Sequence, residues 1–471
     1  MAISLRTWPS RLLARPWMLS FVPINAATAG FGVVLPLLIL IPLHGSWSAV
    51  ALSATLYNSA VILSSVLWGH LSDRYHMRRA FLAINYGGFA ILYIALTQVH
   101  TLATLYAVYA VIGLLAPAGA SASNLLLLEK FPGRERANAY SSFQEMSILG
   151  SIAGLLIGFV WTTDALALTS ILYVLGALAG VSALWIWFGV SEGPRTRRTT
   201  DVARHAESLF ARIHPTAITR NAIPFFPIRP PISPHPLRRF RVWAREEIRH
   251  EIPLIFLAMF LFNLSANLYN ISLTPYFTSI GIATSSIFLI NLCNNAAQGT
   301  LFPFTGAMTT RIGPDTLVRT STYIRSLGYL ATAAFPLIAF TVPEAFTANA
   351  ITYGVVGGAV AFFTIASSMM LFRGIEGRDA GRLLGVNSAL GGFAAVAGAA
   401  LAGVISVYGS FQLVFLVAAA CLLASLPIWA AASVAYGRRT RPTPVEPTSS
   451  PPTSGPANDL DLPGAGVTET G

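Results

Sequence analysis

Long apolar runs alternate with short polar breaks along nearly the whole chain. Twelve runs stand out, at about 17–42, 48–68, 80–98, 101–128, 138–161, 165–189, 252–279, 283–308, 318–340, 345–372, 383–407 and 410–435. Each reaches the roughly 18–20 residues that a helix needs to cross a bilayer. Lipid cannot hydrogen-bond exposed peptide groups, so each run is expected to be a helix. Pro23, Pro36, Pro117, Pro275 and Pro303 fall inside runs, where kinks are tolerated. The pattern predicts an all-α membrane protein with twelve transmembrane helices in two six-helix halves. Residues 1–16 form an N-terminal tail, 17–189 the first half and 190–251 a Pro/Arg-rich linker. Residues 252–435 form the second half and 436–471 a Pro/Thr/Ser/Gly-rich tail of disordered composition.

Charge tests the span count. Of thirty Lys and Arg residues, twenty-nine fall in the two tails, the linker and the loops after helices 2, 4, 8 and 10. All of these lie on one side of a twelve-span chain, and the loops on the other side carry none. The remaining one, Arg325, stands near the start of helix 9, from where it is expected to snorkel. The positive-inside rule then places both termini in the cytoplasm. The apolar run after Arg6, Arg11 and Arg15 is too long for a signal peptide and reads as an uncleaved first span.

Composition narrows the function classes. Charged residues make up 10% of the chain and hydrophobic ones 54%, which excludes an ordinary soluble enzyme. The basic balance is topogenic and implies no nucleic-acid partner. Cys293 and Cys421 sit in apolar runs with no C-x-x-C pair, so no disulfide or metal site is implied. The eight histidines lie in loops or at helix ends and form no mid-membrane relay. No cofactor is expected. A membrane enzyme would need reactive side chains converging at one depth, and none converge.

The halves resemble each other. "ASNLLLLEKFPGRE" (122–135) aligns with "ASSMMLFRGIEGRD" (366–379) at an offset of 244, and the same offset pairs Gly154 with Gly398. "GHLSDRY" (69–75) aligns with "GAMTTRI" (306–312) at an offset of 237. A duplicated six-helix unit with parallel halves is a transporter architecture.

The break after helix 2 reads "GHLSDRYHMRR" (69–79). With the twelve spans, the long central linker and the repeat, it resembles the loop motif G-x-L-x-D-R-x-G-R-[KR] of the major facilitator superfamily. Gly69, Leu71, Asp73, Arg74 and Arg78 fit it, and Arg79 adds a basic residue just after it. His76 stands in place of the usual Gly, and Met77 in place of the first basic residue. In the second half Thr310 replaces the acid while Arg311 and Gly313 remain. The resemblance covers 17–435. It implies a gating role for Gly69, Asp73, Arg74, Arg78, Glu135 and Arg311. Asp73 would meet the N-terminus of helix 11 near Arg382 and Leu383, where the helix dipole favours an anion, and Arg74 would pair with Glu135. A plain topogenic anchor accounts for Arg78 and Arg79 but not for Asp73.

The same resemblance implies a central cavity lined by helices 1, 4, 7 and 10. Asn263, Asn267 and Asn270 share one face of helix 7. Asn25, Ser123 and Asn124 are weaker candidates. Asn291, Asn294, Asn295 and Gln298 in helix 8 read equally as cavity lining or as interhelical hydrogen bonding. Glu145, an acid within helix 5, is a candidate for proton coupling. Subfamily signals are weak. Tyr109 stands where drug–proton antiporters carry an Arg ahead of Gly113, no proline follows the Gly150-Gly154-Gly158 face, and "SEGPR" (191–195) only echoes a sugar-porter stretch.

The expected function is secondary active transport of a small solute across the cell membrane by a monomer using alternating access, with proton-coupled efflux as one mode. A sugar-type uptake porter and a transport-inactive receptor or scaffold remain open. Substitution of Asp73 by Asn is expected to slow flux at unchanged surface expression; normal flux in reconstituted vesicles would contradict the gating role.

Overall fold

The structure is a computed structural model that describes residues 16–75, 77–130, 135–164, 166–190, 251–338, 340–375 and 380–440. Twelve α-helices appear among them. They are α1 (Phe21–Leu40, entered through a 3-10 turn Pro16–Ser20), α2 (Trp47–Tyr75), α3 (Arg78–Leu96), α4 (Leu102–Lys130), α5 (Glu135–Thr163) and α6 (Ile171–Gly189). The second set is α7 (Glu251–Ser279), α8 (Thr284–Ile312), α9 (Pro314–Ala334), α10 (Val342–Ile375), α11 (Ala380–Tyr408) and α12 (Phe411–Thr440). Ten of the twelve are long and apolar enough to cross a membrane. The other two, α8 and α9, carry the amides at 291–298 and Arg319 with Arg325, which dilute their apolar character.

Several helices outrun their apolar runs. The ladder of α2 continues to Tyr75, so Asp73 and Arg74 occupy its last turn rather than a free loop. α10 continues to Ile375 and α11 starts at Ala380. Helix hydrogen bonding does not stop where hydrophobicity does, because only α-geometry and the next turn decide the end. Pro36, Pro117, Pro275, Pro303 and Pro427 lie inside continuous helices. A sharp join follows α8, where Gly313 takes φ 86° and Pro314 opens α9. Only a residue without Cβ adopts that φ at little cost.

Helix contacts repeat between the halves. In the first, α1 packs on α5 and α6, α3 on α4 and α6, and α2 on α4. In the second, α7 packs on α11 and α12, α9 on α10 and α12, and α8 on α10. The two sets coincide when α7–α12 are read as α1–α6. The halves meet chiefly through α2 on α11 and α5 on α8, contacts that also exchange under that correspondence. The arrangement is therefore pseudo-two-fold.

Glycines set the closest approaches. Gly113 in α4 lies against the Tyr57 carbonyl of α2, and Gly357 in α10 lies against the Asn294 carbonyl of α8. These pairs are related by the offsets of 244 and 237 that align the sequence. Likewise Gly154 in α5 meets the Ala26 carbonyl of α1, and Gly398 in α11 meets the Leu264 carbonyl of α7. In lipid no hydrophobic drive holds helices together, so van der Waals packing at small residues carries the association. A methyl group at Gly154 would overlap the α1 backbone, whereas Gly32 has open space. Gly154→Ala is expected to lower the stability of the detergent-solubilised protein by about 1–3 kcal/mol, with Gly32→Ala neutral or slightly stabilising. Equal thermal unfolding of the two variants would contradict this packing.

Candidate functional site

Three sides of α7 are committed to its own half. Ser265 donates to the Ala418 carbonyl of α12 (2.6 Å). Phe262 stacks on Phe363 of α10 at 3.4 Å, and Tyr269 stacks on Tyr329 of α9 at 3.7 Å. Leu264 meets Gly398 of α11 through its carbonyl. Helical geometry puts Asn263, Asn267 and Asn270 on the remaining strip, between the flank that meets α10 and the flank that meets α11. That strip faces the first half, since α7 also touches α1 and α2.

The amides on it are half spoken for. Asn263 Nδ2 donates to the Met259 carbonyl and Asn267 Nδ2 to the Asn263 carbonyl, both at 2.9 Å. In α1, Asn25 Nδ2 donates to the Phe21 carbonyl at 2.7 Å. Asn25 and Asn263 stand 238 residues apart, the same spacing as Ala26 and Leu264 in the two glycine contacts. They are repeat partners with the same bond to the carbonyl four residues back. Each bond consumes one N–H and leaves the side-chain oxygen for another donor. Asn270 is exposed, and its Oδ1 accepts a long bond from Tyr353 Oη of α10 (3.5 Å).

The other site candidates divide. Ser123 is buried in α4. Asn124 lies in the same helix, Gly69, Asp73 and Arg74 in α2, and Glu135 at the start of α5, but their side chains fall outside the described ones. The expected Asp73–α11 and Arg74–Glu135 contacts, with Arg382 and Leu383, fall there too. Arg78 is buried at the start of α3, and Arg79 lies over the Trp187 ring of α6 at 4.4 Å. Arg311 is exposed in the last turn of α8. Glu145 is half-buried in α5, one turn before Ile148, which meets Gly299 of α8. In α8, Asn294 Nδ2 bonds the Tyr353 carbonyl of α10 at 2.8 Å, the interhelical option. Asn291 and Asn295 instead bond carbonyls of their own helix.

One expectation is overturned. Arg325 does not snorkel: it is 4% exposed, twelfth in the 21-residue α9. Its Nε donates to Tyr329 Oη (2.7 Å), and its guanidinium lies 4.5 Å from the Phe262 ring centroid. It stands about 16 Å along α9 from its first residue, where α7 offers it an aromatic face.

Sequence patterning also missed a seal between the halves. On the side away from the basic loops, Trp47 opens α2 and stacks on Phe411 of α12 (4.3 Å, 24°). Tyr276 of α7 flanks Phe411 at 5.7 Å. A Cβ on Gly403 of α11 would sit 3.4 Å from the Ala51 Cβ of α2, and Gly158 of α5 abuts Phe288 of α8. The only hint in the sequence was aromatic residues at span ends, which also suit a lipid interface.

Known proteins agree with this architecture. The model of the Major Facilitator Superfamily matches residues 17–372 and again 255–462. No curated protein matches the chain. Among solved structures, the nucleoside transporter NupG superposes with a TM-score of 0.60 at 16% identity, over 90% of this chain and 99% of that one. A mutant of the same transporter superposes with a TM-score of 0.64 at 15% identity, over 89% and 99%. At such identity the likeness concerns the fold. The family model, the duplicated six-helix plan and the pseudo-two-fold contact between halves converge, and the chain belongs to the major facilitator superfamily: it is a multi-pass membrane transporter, not an enzyme.

Proposed function

We propose that the protein carries a small, neutral, hydrogen-bonding solute across the cell membrane, with both termini in the cytoplasm, by rocking its two halves about the α2–α11 and α5–α8 contacts. The seal on the side without basic loops supports this reading. Trp47–Phe411, Ala51–Gly403 and Gly158–Phe288 join opposite halves, so a rocking motion that opens this side must break them. Contacts made in one state and lost in the other are what bias such an equilibrium. With the basic loops inside, the seal closes the outer mouth.

The solute class follows from the strip on α7 and its partner in α1. Asn25, Asn263 and Asn267 hold one N–H on their own helix and keep a side-chain oxygen able to accept, which suits a ligand rich in hydroxyl or N–H donors. Nucleosides have that chemistry, and one solved transporter of similar fold is named for them. They are the first class to assay. A transport-inactive scaffold is disfavoured, because a static protein needs no seal that crosses between its halves.

A disulfide tests the motion. The Cβ separation between Ala51 and Gly403 suits an S–S bridge. In a background lacking Cys293 and Cys421, the double variant Ala51→Cys with Gly403→Cys is expected to lose more than about nine-tenths of flux on oxidation and to recover it on reduction. Full flux in a protein shown by mass to be cross-linked would exclude rocking at this contact.

A further inference from the structure

Arg325 is a cation where the fold asks for none. Its neighbourhood has a counterpart in the first half. Tyr269 of α7 stacks on Tyr329 of α9, as Phe31 of α1 stacks on Tyr93 of α3 (4.4 Å). The residue four before Tyr329 is Arg325, and the residue four before Tyr93 is Phe89, 6% exposed and 5.7 Å from Tyr93 between ring centroids. Phe89 fills its place with an apolar ring. Packing of the repeat therefore does not require a charge, and the second half carries one all the same.

The charge is held without an acid. Among the described residues no carboxylate pairs with Arg325; its partners are Tyr329 Oη and the Phe262 ring. The groups about it are aromatic: Phe262 of α7 covers it, and Tyr269 of α7 stacks on its partner Tyr329. A guanidinium stays protonated at any physiological pH. An aromatic face offsets only part of its desolvation, so a positive potential remains. Glu145, the acid within α5, belongs to the opposite half.

That potential faces the interior strip. Phe262 covers the guanidinium, and Asn263 follows it in the chain. Tyr329, which accepts from Arg325, stacks on Tyr269, whose ring lies 6.2 Å from that of Tyr353, and the Tyr353 O–H donates to Asn270 Oδ1. We propose that Arg325 is a specificity-determining residue that makes the second-half wall of the transport path electropositive, so that the path rejects cationic solutes and accepts neutral or anionic ones. This rests on the strip at Asn263, Asn267 and Asn270 lining the path, and it deepens that reading by giving the charge class of the solute. Across one layer of side chains, about 10 Å at an effective dielectric constant near 20, a unit charge shifts the local concentration of each ion by roughly tenfold, in opposite directions for opposite ions.

A probe of potential needs no knowledge of the substrate. In a background lacking Cys293 and Cys421, Asn270→Cys would be modified in reconstituted full-length protein with sulfonatoethyl and trimethylammonioethyl methanethiosulfonate. The ratio of their rates, divided by the ratio for a free thiol in solution, reports the local potential. Ser46→Cys, between α1 and α2, is the control. The anionic reagent should be favoured about tenfold or more at the thiol of the Asn270→Cys variant but not at that of the control. Arg325→Gln should abolish the preference, and so should Arg325→Phe, which supplies the ring that Phe89 provides in the first half; Arg325→Lys should keep it. An unchanged ratio in either neutral variant, folded as judged by size-exclusion profile, would overturn the proposal. If neither reagent reaches the thiol introduced by Asn270→Cys, the interior strip itself is misassigned and the proposal falls with it. Loss of flux with the ratio intact would count against the rocking mechanism and leave the charge assignment standing.

Discussion

Everything in this structure depends on how closely two helix backbones can approach in a medium that offers no hydrophobic drive. Gly154 against the Ala26 carbonyl, and Gly398 against the Leu264 carbonyl, hold α1 to α5 and α7 to α11. Gly113 and Gly357 do the same for α4 on α2 and α10 on α8. Because these contacts are backbone to backbone, each half is stiff within itself. The contacts between halves are of another kind. Ile62 approaches Gly392 with its side chain, and Trp47 and Phe411 meet as rings. Side chains can part and re-form where interlocked backbones cannot. Backbone contacts inside each half and side-chain contacts between them are the mechanical condition that the proposed rocking requires.

Stiffness also positions the polar strip. With three sides of α7 anchored, Asn263, Asn267 and Asn270 have one direction left. Under the proposed function, their own-helix bonds decide which atoms a solute meets. Behind the strip, Arg325 contributes a charge that the apolar counterpart at Phe89 shows to be dispensable for packing. The two halves share a skeleton and differ here in charge, Phe89 in one and Arg325 in the other, and the proposal gives that difference a chemical role.

Much of the fold was legible in the sequence, for physical reasons that can be named. Lipid forces long unbroken apolar helices, so the spans could be counted. Basic residues resist crossing a membrane, so their distribution checked the count. The offsets of 244 and 237 reappear as paired glycine contacts because close approach tolerates no side chain. The site was less legible. Spacing placed the α7 amides on one face but could not tell whether the α8 amides were lining or bonding; Asn294 bonds Tyr353. Arg325 looked like a residue that would reach for water. Nothing along the chain revealed that Phe262, sixty-three positions earlier, offers it a ring. The Trp47–Phe411 stack was hidden likewise, since pairing across halves leaves no periodicity within either.

The central claim is that the halves move as stiff bodies and separate at the sealed mouth. Pulsed electron paramagnetic resonance tests it directly in lipid nanodiscs. Spin labels at Ser48→Cys, beside Trp47, and Ser410→Cys, beside Phe411, would span the mouth. Labels at His100→Cys and Leu168→Cys would report within the first half. The account predicts two distance populations across the mouth, shifting with added solute or pH, and one unchanging distance within the half. A single fixed distance across the mouth under every condition, or an equal spread within the half, would contradict it.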